Sequence, residues 1–240
     1  MRRLSRNRCF VLLFVLLPAF AAADKPNWTR KATGFAGVCS SGNCRPVRIV
    51  APDKKSAVEV LYQDGNAYLR VTGAADKPVR EIRDVSNSPQ NDLLWAPDSK
   101  AFFIDGGEGM TSPAFVQVYL LDEEQLRPLD VTGQVEQDML KTYPPCKALY
   151  LDEASCRQLE RDPGYNLRAI DWVDDSSAVV VLAQVPCTSN YGGIMCQAMG
   201  YEVEVPSGKI LKRMTPAEFK AEWQKHMVQR FMIPEKPQYQ

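Results

Sequence analysis

Apolar positions in this chain fall in short runs rich in β-branched and aromatic residues, separated by polar turns, which is strand spacing and not helix spacing. Ala57 to Tyr62 runs into Gln63-Asp64-Gly65-Asn66 and returns as Ala67 to Thr72, an Asp-Gly hairpin, and Val79 to Val85 follows as the next strand. A second unit has Ala101 to Asp105, a break at Gly106-Gly107-Glu108-Gly109, then Phe115 to Leu121 and Leu126 to Val131. The third has Ala178 to Val185, a long excursion, Gly200 to Val205, the turn Pro206-Ser207-Gly208-Lys209, and Ile210 to Met214. Three meanders in succession predict a mainly β fold of antiparallel sheets.

Each unit is introduced by a similar phrase. Ala51-Pro52-Asp53-Lys54-Lys55-Ser56-Ala57 precedes the first, Trp95-Ala96-Pro97-Asp98-Ser99-Lys100-Ala101 the second, and Trp172-Val173-Asp174-Asp175-Ser176-Ser177-Ala178 the third. Pro52 and Pro97 suit the second position of a type I turn, and Asp and Ser hydrogen-bond turn backbone. The stretch Trp95 to Phe103 resembles the blade motif of TolB-like and WD-type β-propellers, with Ser99 where those repeats usually carry glycine. The first copy lacks the tryptophan, and the third has Asp174 in place of proline. Asp53 and Asp98 are 45 residues apart, a blade-like period, whereas Asp98 and Asp175 are 77 apart. A partial propeller, propeller-like sheets packed as a sandwich, and half of a dimeric ring closed by symmetry all satisfy three units. The resemblance implies that the chain binds another macromolecule.

The extra residues, 132–166, read as a small helical insertion. Val135, Met139 and Leu140 have helical spacing before Pro144-Pro145, and Asp152 is placed to cap a short helix up to Arg161. Thr215-Pro216-Ala217-Glu218 is a capping box with proline at the first helical position. Phe219, Trp223, Met227 and Phe231 recur every four residues, which predicts an amphipathic C-terminal helix over 215–232 lying on the sheets.

Residues 1–23 read as a secretory signal: Arg2, Arg3, Arg6 and Arg8 precede an apolar stretch from Cys9 to Phe20, and Ala21-Ala22-Ala23 offers small residues for cleavage. A single propeller-like domain over 24–240, periplasmic or secreted, is the expectation. No later stretch approaches the roughly 20 apolar residues that a membrane helix needs. Removing the signal leaves 25 basic and 29 acidic residues with no basic run, the opposite of what nucleic acid binding requires. The expected partner is a protein or a component of the cell envelope.

Six cysteines remain after cleavage, and in an exported chain an even number points to disulfides. They fall as three close pairs, Cys39 with Cys44, Cys146 with Cys156, and Cys187 with Cys196, and local pairing is the simplest framework. The chain has a single histidine and no C-x-x-C, so the spacing is not that of a zinc site, and no metal or cofactor is expected.

Candidate chemistry is sparse. His226 is the sole histidine and no G-x-S-x-G elbow accompanies it, so a nucleophilic triad is not expected. Local acid clusters are Asp105 with Glu108, Asp122 with Glu123 and Glu124, and Asp174 with Asp175. They serve either as solvated turn acids or, if two converge in a cleft, as the carboxylate pair of a sugar or cell-wall hydrolase. The stretch Pro186 to Tyr201 is the strongest binding candidate, with Asn190, Tyr191, Ile194 and Met195 inside the Cys187–Cys196 loop and Met199 and Tyr201 after it. Tyr with Asn, Ser and Gly is the composition of recognition loops, and Met adapts to irregular partners. Two readings stand side by side: a stapled loop that contacts a partner, as an inhibitor or immunity protein would, and an ordinary hairpin whose apolar residues fold onto the core.

Overall fold

The computed structural model describes residues 28–35, 39–40, 43–44, 46–63, 66–73, 76–85, 91–107, 114–122, 125–144 and 152–228. The signal segment, Glu108, Cys146 and Phe231 lie outside these.

Three four-stranded antiparallel meanders carry the fold, each built in chain order. The first sheet is β4 (Val47–Val50), β5 (Ala57–Gln63), β6 (Asn66–Thr72) and β7 (Pro78–Val85). The second is β8 (Asp92–Trp95), β9 (Ala101–Gly107), β10 (Ala114–Asp122) and β11 (Gln125–Leu129), with β1 (Thr33–Gly34) paired to the free side of β8. The third is β12 (Asn166–Trp172), β13 (Ala178–Gln184), β14 (Ala198–Glu204) and β15 (Ile210–Met214). A separate two-stranded ladder, β2 (Cys39–Ser40) with β3 (Asn43–Cys44), sets Cys39 directly opposite Cys44. The arrangement is propeller-like.

The sheets stack face to face, and strand composition follows from which faces are covered. Val58, Val60, Leu69 and Val71 of the first sheet pack against Trp95, Phe102 and Ile104 of the second. The opposite face of the second, with Phe103, Val116 and Val118, packs against Leu167, Trp172, Val179 and Val181 of the third. Every residue of β9 and β13 is buried because their sheets are covered on both faces. The first sheet has one covered face and therefore alternates. Its outward face carries Arg48, Glu59, Arg70 and Glu81, which sit opposite one another from strand to strand as an alternating charge row. Arg48 pairs with Glu59 at 2.5 Å and Arg70 with Glu81 at 3.2 Å. Such a row suits water and not another apolar sheet.

The repeated phrase is an interlock between neighbouring sheets. In each copy the turn places a residue in the left-handed region, Lys54 at φ 61°, Ser99 at 64° and Ser176 at 63°. The preceding aspartate caps the turn: Lys55 N–H donates to Asp53, Lys100 N–H to Asp98, and Ser177 N–H to Asp175. Ser99 Oγ then accepts from the Asp53 N–H of the preceding turn at 3.0 Å, and Ser176 Oγ accepts from the Asp98 N–H at 3.1 Å. The tryptophans do the same job. Trp95 Nε1 donates to the Ile49 carbonyl and Trp172 Nε1 to the Leu94 carbonyl, at 3.2 and 3.3 Å. Val50, which stands where the other copies carry tryptophan, is 49% exposed, and Lys54 is exposed as well. Among the described residues no four-stranded meander precedes the first for these two positions to interlock with.

Helix α1 (Val131–Thr142) buries Val131, Val135 and Met139 against the second and third sheets. Asp130 caps it through the Gly133 N–H, Thr132 Oγ1 donates to the Val116 carbonyl at 2.6 Å, and Asp138 pairs with Arg213 at 2.6 Å. The strand expected to run to Val131 therefore stops at Leu129, because Asp130 is taken as a helix cap. Helix α2 (Glu153–Arg161) is capped by Asp152, as the sequence predicts.

Helix α3 (Pro216–Trp223) has the predicted capping box but is shorter than the 215–232 pattern implies. A single 3₁₀ turn over Gln224–His226 follows, and Met227 is extended. The backbone of 226–228 is engaged elsewhere: Thr29 and Met227 form an antiparallel bridge, Arg30 N–H donates to the His226 carbonyl, and Val228 N–H to the Trp28 carbonyl. Phe219 and Met227 still reach the outer face of the third sheet, packing with Ile170, Val180 and Leu182. The glycine stretch is also corrected. Gly106 and Gly107 continue β9 opposite Phe115 and Ala114 instead of opening a loop. A Cβ at Gly106 would lie 2.3 Å from Asn91 Oδ1, so only glycine allows this close approach.

Removing an interlock should cost more than relaxing the copy that lacks one. Ser176→Ala keeps the strained φ and loses the bond to Asp98, and should destabilise by about 1 kcal/mol in urea unfolding. Lys54→Gly should stabilise by up to about 1 kcal/mol, because glycine adopts that φ without strain.

Candidate functional site

The two cysteine-bearing excursions, separate in sequence, meet on one face. Cys187 and Cys196 are disulfide-bonded across a 3₁₀ turn over Ser189–Ile194, with Cα atoms 4.5 Å apart. Cys156, on α2, is also disulfide-bonded. Tyr191 connects the two segments by donating its hydroxyl to the Pro163 carbonyl at 3.0 Å, just past the end of α2. Tyr165, fully buried beneath them, donates to the Tyr143 carbonyl at the end of α1, at 2.7 Å.

The sequence-predicted binding residues divide accordingly. Asn190 lies in the 3₁₀ turn. Tyr191, Ile194 and Met199 are half-buried and pack against the core between the second and third sheets, and Met195 is half-buried. The loop therefore lies on the protein and does not protrude. Tyr201 is fully buried in β14, so it is a core residue and not a surface contact; its hydroxyl faces Met199 Sδ. What the stapled face offers to solvent is Gly193, with open space around the position a Cβ would take, and the exposed flank of α2, in which no residue is buried. Glu136 of α1 sits half-buried beside this face, and burial, with Asp162 and Asp130 adding repulsion, pushes its carboxyl up to about 7.

A second cluster lies at the same end of the inner strands, two residues in from the Asn166–Gln184 pair at which the stapled loop leaves β13. Glu108 lies outside the described residues; the register partner of Asp105 across β8 and β9 is Asp92, and both are fully buried. Arg168 of β12 reaches across from the third sheet to Asp105 at 3.0 Å and to the Gly106 carbonyl at 2.9 Å. Trp28 lies over the guanidinium, 3.7 Å from ring centroid to Cζ, while its backbone N–H donates to Asp92 at 2.7 Å. Asp105 Oδ2 is buried without a hydrogen-bond partner. Burial raises the Asp105 carboxyl to about 8, with the Arg168 guanidinium beside it working in the other direction and Asp92 adding repulsion. Two facing carboxyl groups are present, but both are sealed from solvent and not set in a cleft. Of the remaining acid clusters, Asp122 ends β10 and Glu123 and Glu124 lie outside the described residues, while Asp174 and Asp175 are exposed turn residues, and bonds from Ser177 lower the Asp175 carboxyl.

His226 is neither free nor placed beside a nucleophile. Its Nδ1 lies 2.6 Å from Asp171 Oδ2, which also receives Lys31 Nζ at 2.8 Å. Sequence reading passed over Arg168 and Asp171. The available signal was two charged residues, Arg168 and Asp171, inside the otherwise apolar run Leu167 to Trp172, all of which is buried.

No protein-family model and no curated protein matches the chain. Among solved structures, TolB from Acinetobacter baumannii is similar at 11% identity with a TM-score of 0.35, over 76% of this chain and 37% of that one. A prolyl endopeptidase structure is similar at 14% identity with a TM-score of 0.38, over 72% of this chain and 22% of the other. The chain thus spans well under half of either, and these likenesses concern the repeating sheets and not an activity.

Asp105 should leave a signature in the pH dependence of stability. The unfolded chain gives up this proton near pH 4 and the folded chain near pH 8, so between those values folding takes up a proton and stability falls as pH rises. Asp105→Asn should make urea midpoints between pH 4 and 8 decline less steeply than in the parent.

Proposed function

We propose that this is an exported binding protein without catalysis of its own, which contacts a protein or another cell-envelope component through the stapled face formed by the Cys187–Cys196 loop and α2. The observation that carries the reading is the Tyr191 to Pro163 hydrogen bond, which joins two disulfide-bearing segments into one surface. A surface held this way loses little conformational entropy on binding, which favours recognition by a rigid patch. The exposed side of α2 and Gly193 are the contact elements, and Tyr191, Ile194 and Met199 support them from below. An inhibitor or immunity protein for an exported enzyme is one form this takes.

A carboxylate-dependent hydrolase is the alternative. Facing Asp92 and Asp105 favour it, and their complete burial opposes it, since a substrate must reach both. The outward charge row of the first sheet and α3 on the outer face of the third favour a chain that acts as a monomer instead of closing a ring with a second copy.

The test is capture from envelope and secreted extracts with the mature oxidised chain as bait. Gly193→Arg combined with Arg157→Glu changes only exposed positions, and should weaken retention of the partner at least tenfold. Lys54→Glu, on the far sheet, should leave it unchanged. Equal retention by both variants would remove the stapled face from the reading, and a parent that retains nothing would remove the binding reading itself.

A further inference from the structure

We propose that the two terminal segments, 28–35 and 224–228, form a single latch clasped by Asp171, which opens and closes as one unit while the three sheets stay folded. The segments are remote in sequence and adjacent in space. Trp28 and Val228, Arg30 and His226, and Thr29 and Met227 are joined backbone to backbone. Both segments then converge on one carboxylate. Asp171 Oδ2 receives Lys31 from the N-terminal segment and His226 from the C-terminal one, while its Oδ1 accepts the Trp172 N–H and fixes its orientation. Asp171 sits where the β12 to β13 register shifts, a bulge that turns its side chain out of the ladder toward the segments.

The latch is separable from the sheets by the number and kind of its contacts. Outside the zip itself, the N-terminal segment is held by a two-residue pairing with β8, the Phe35 N–H to the Asn91 carbonyl, Trp28 over Arg168 with its N–H on Asp92, and the burial of Thr29, Ala32 and Phe35. The C-terminal segment is held by Met227 in the small cluster under α3 and by Trp223 against the His226 ring at 5.0 Å. By comparison, β9 is paired along its whole length with β10 and over residues 102–105 with β8, β13 along its whole length with β14 and over residues 179–184 with β12, and both are buried throughout. Segments with few buried contacts open at lower free energy than the core. At 28–30 and 226–228 each segment loses its backbone partners once the other leaves, so the two openings are coupled there, while 33–35 keep their pairing with β8. Opening bares the edge of β8 at Asp92 and Leu93 and the face of Arg168 that Trp28 covers, the kind of strand edge an extended peptide pairs with.

Hydrogen exchange by mass spectrometry on the full mature oxidised chain tests the coupling. Lys31→Met removes a contact made only by the N-terminal segment, and His226→Ala one made only by the C-terminal segment. Each should speed exchange about tenfold or more in both segments, with Phe102–Ile104 and Val179–Leu182 unchanged. Asp171→Asn should match or exceed either. Loosening confined to the substituted segment, or no loosening at all, would overturn the latch. Faster exchange in the core strands along with the segments would also overturn it, because opening would then be global unfolding.

Discussion

The stack depends on one repeated contact, a turn whose left-handed residue and neighbouring tryptophan both bond to the sheet before it. Ser99 and Trp95 hold the second sheet to the first, and Ser176 and Trp172 hold the third to the second. Glycine would adopt the left-handed φ with less strain, but it has no hydroxyl to accept the preceding turn's N–H. Serine at that position trades backbone comfort for a bond between sheets. The indole serves a similar end, because a buried backbone carbonyl without a donor is costly and Trp supplies the donor from within an apolar interface.

The same contact explains why the array ends where it does. In the first copy the two interlocking positions are Val50 and Lys54, both exposed, and the outward face of that sheet is a row of alternating charges. At the other end the third sheet is closed by Phe219 and Met227. A repeat protein whose units cannot bury their faces alone requires such end pieces. Here one end uses solvated charge and the other uses a helix, and the terminal segments cross between them over the inner strands.

Charge inside this stack is confined to places where a partner comes from a different sheet or segment. Arg168 pairs with Asp105 across the interface between the second and third sheets, Asp138 with Arg213 between α1 and β15, and Asp171 with residues from both terminal segments. Buried ion pairs contribute little net stability after desolvation, but a wrong register leaves a charge unpaired. Asp105 shows the desolvation side of this balance, since one of its oxygens is buried without a partner and burial raises its carboxyl.

Local pattern and turn chemistry by themselves determined the three meanders, the helix caps at Asp152 and Thr215, and the pairing of Cys187 with Cys196, since each depends on residues a few positions apart. Even the departures from the repeat were legible as letters, though not as reasons: the missing tryptophan in the first copy goes with the lack, among the described residues, of a four-stranded meander before it. The candidate binding loop could be found from composition, but whether Tyr191 and Tyr201 face a partner or the core depends on what packs beneath them. That α3 stops at Trp223, that Asp105 faces Asp92, and that Asp171 gathers Lys31 and His226 were decided by tertiary structure alone. Hydrophobic periodicity reports which face of an element is covered. It carries no information about which distant segment does the covering, and that choice sets every long-range charge contact in this protein.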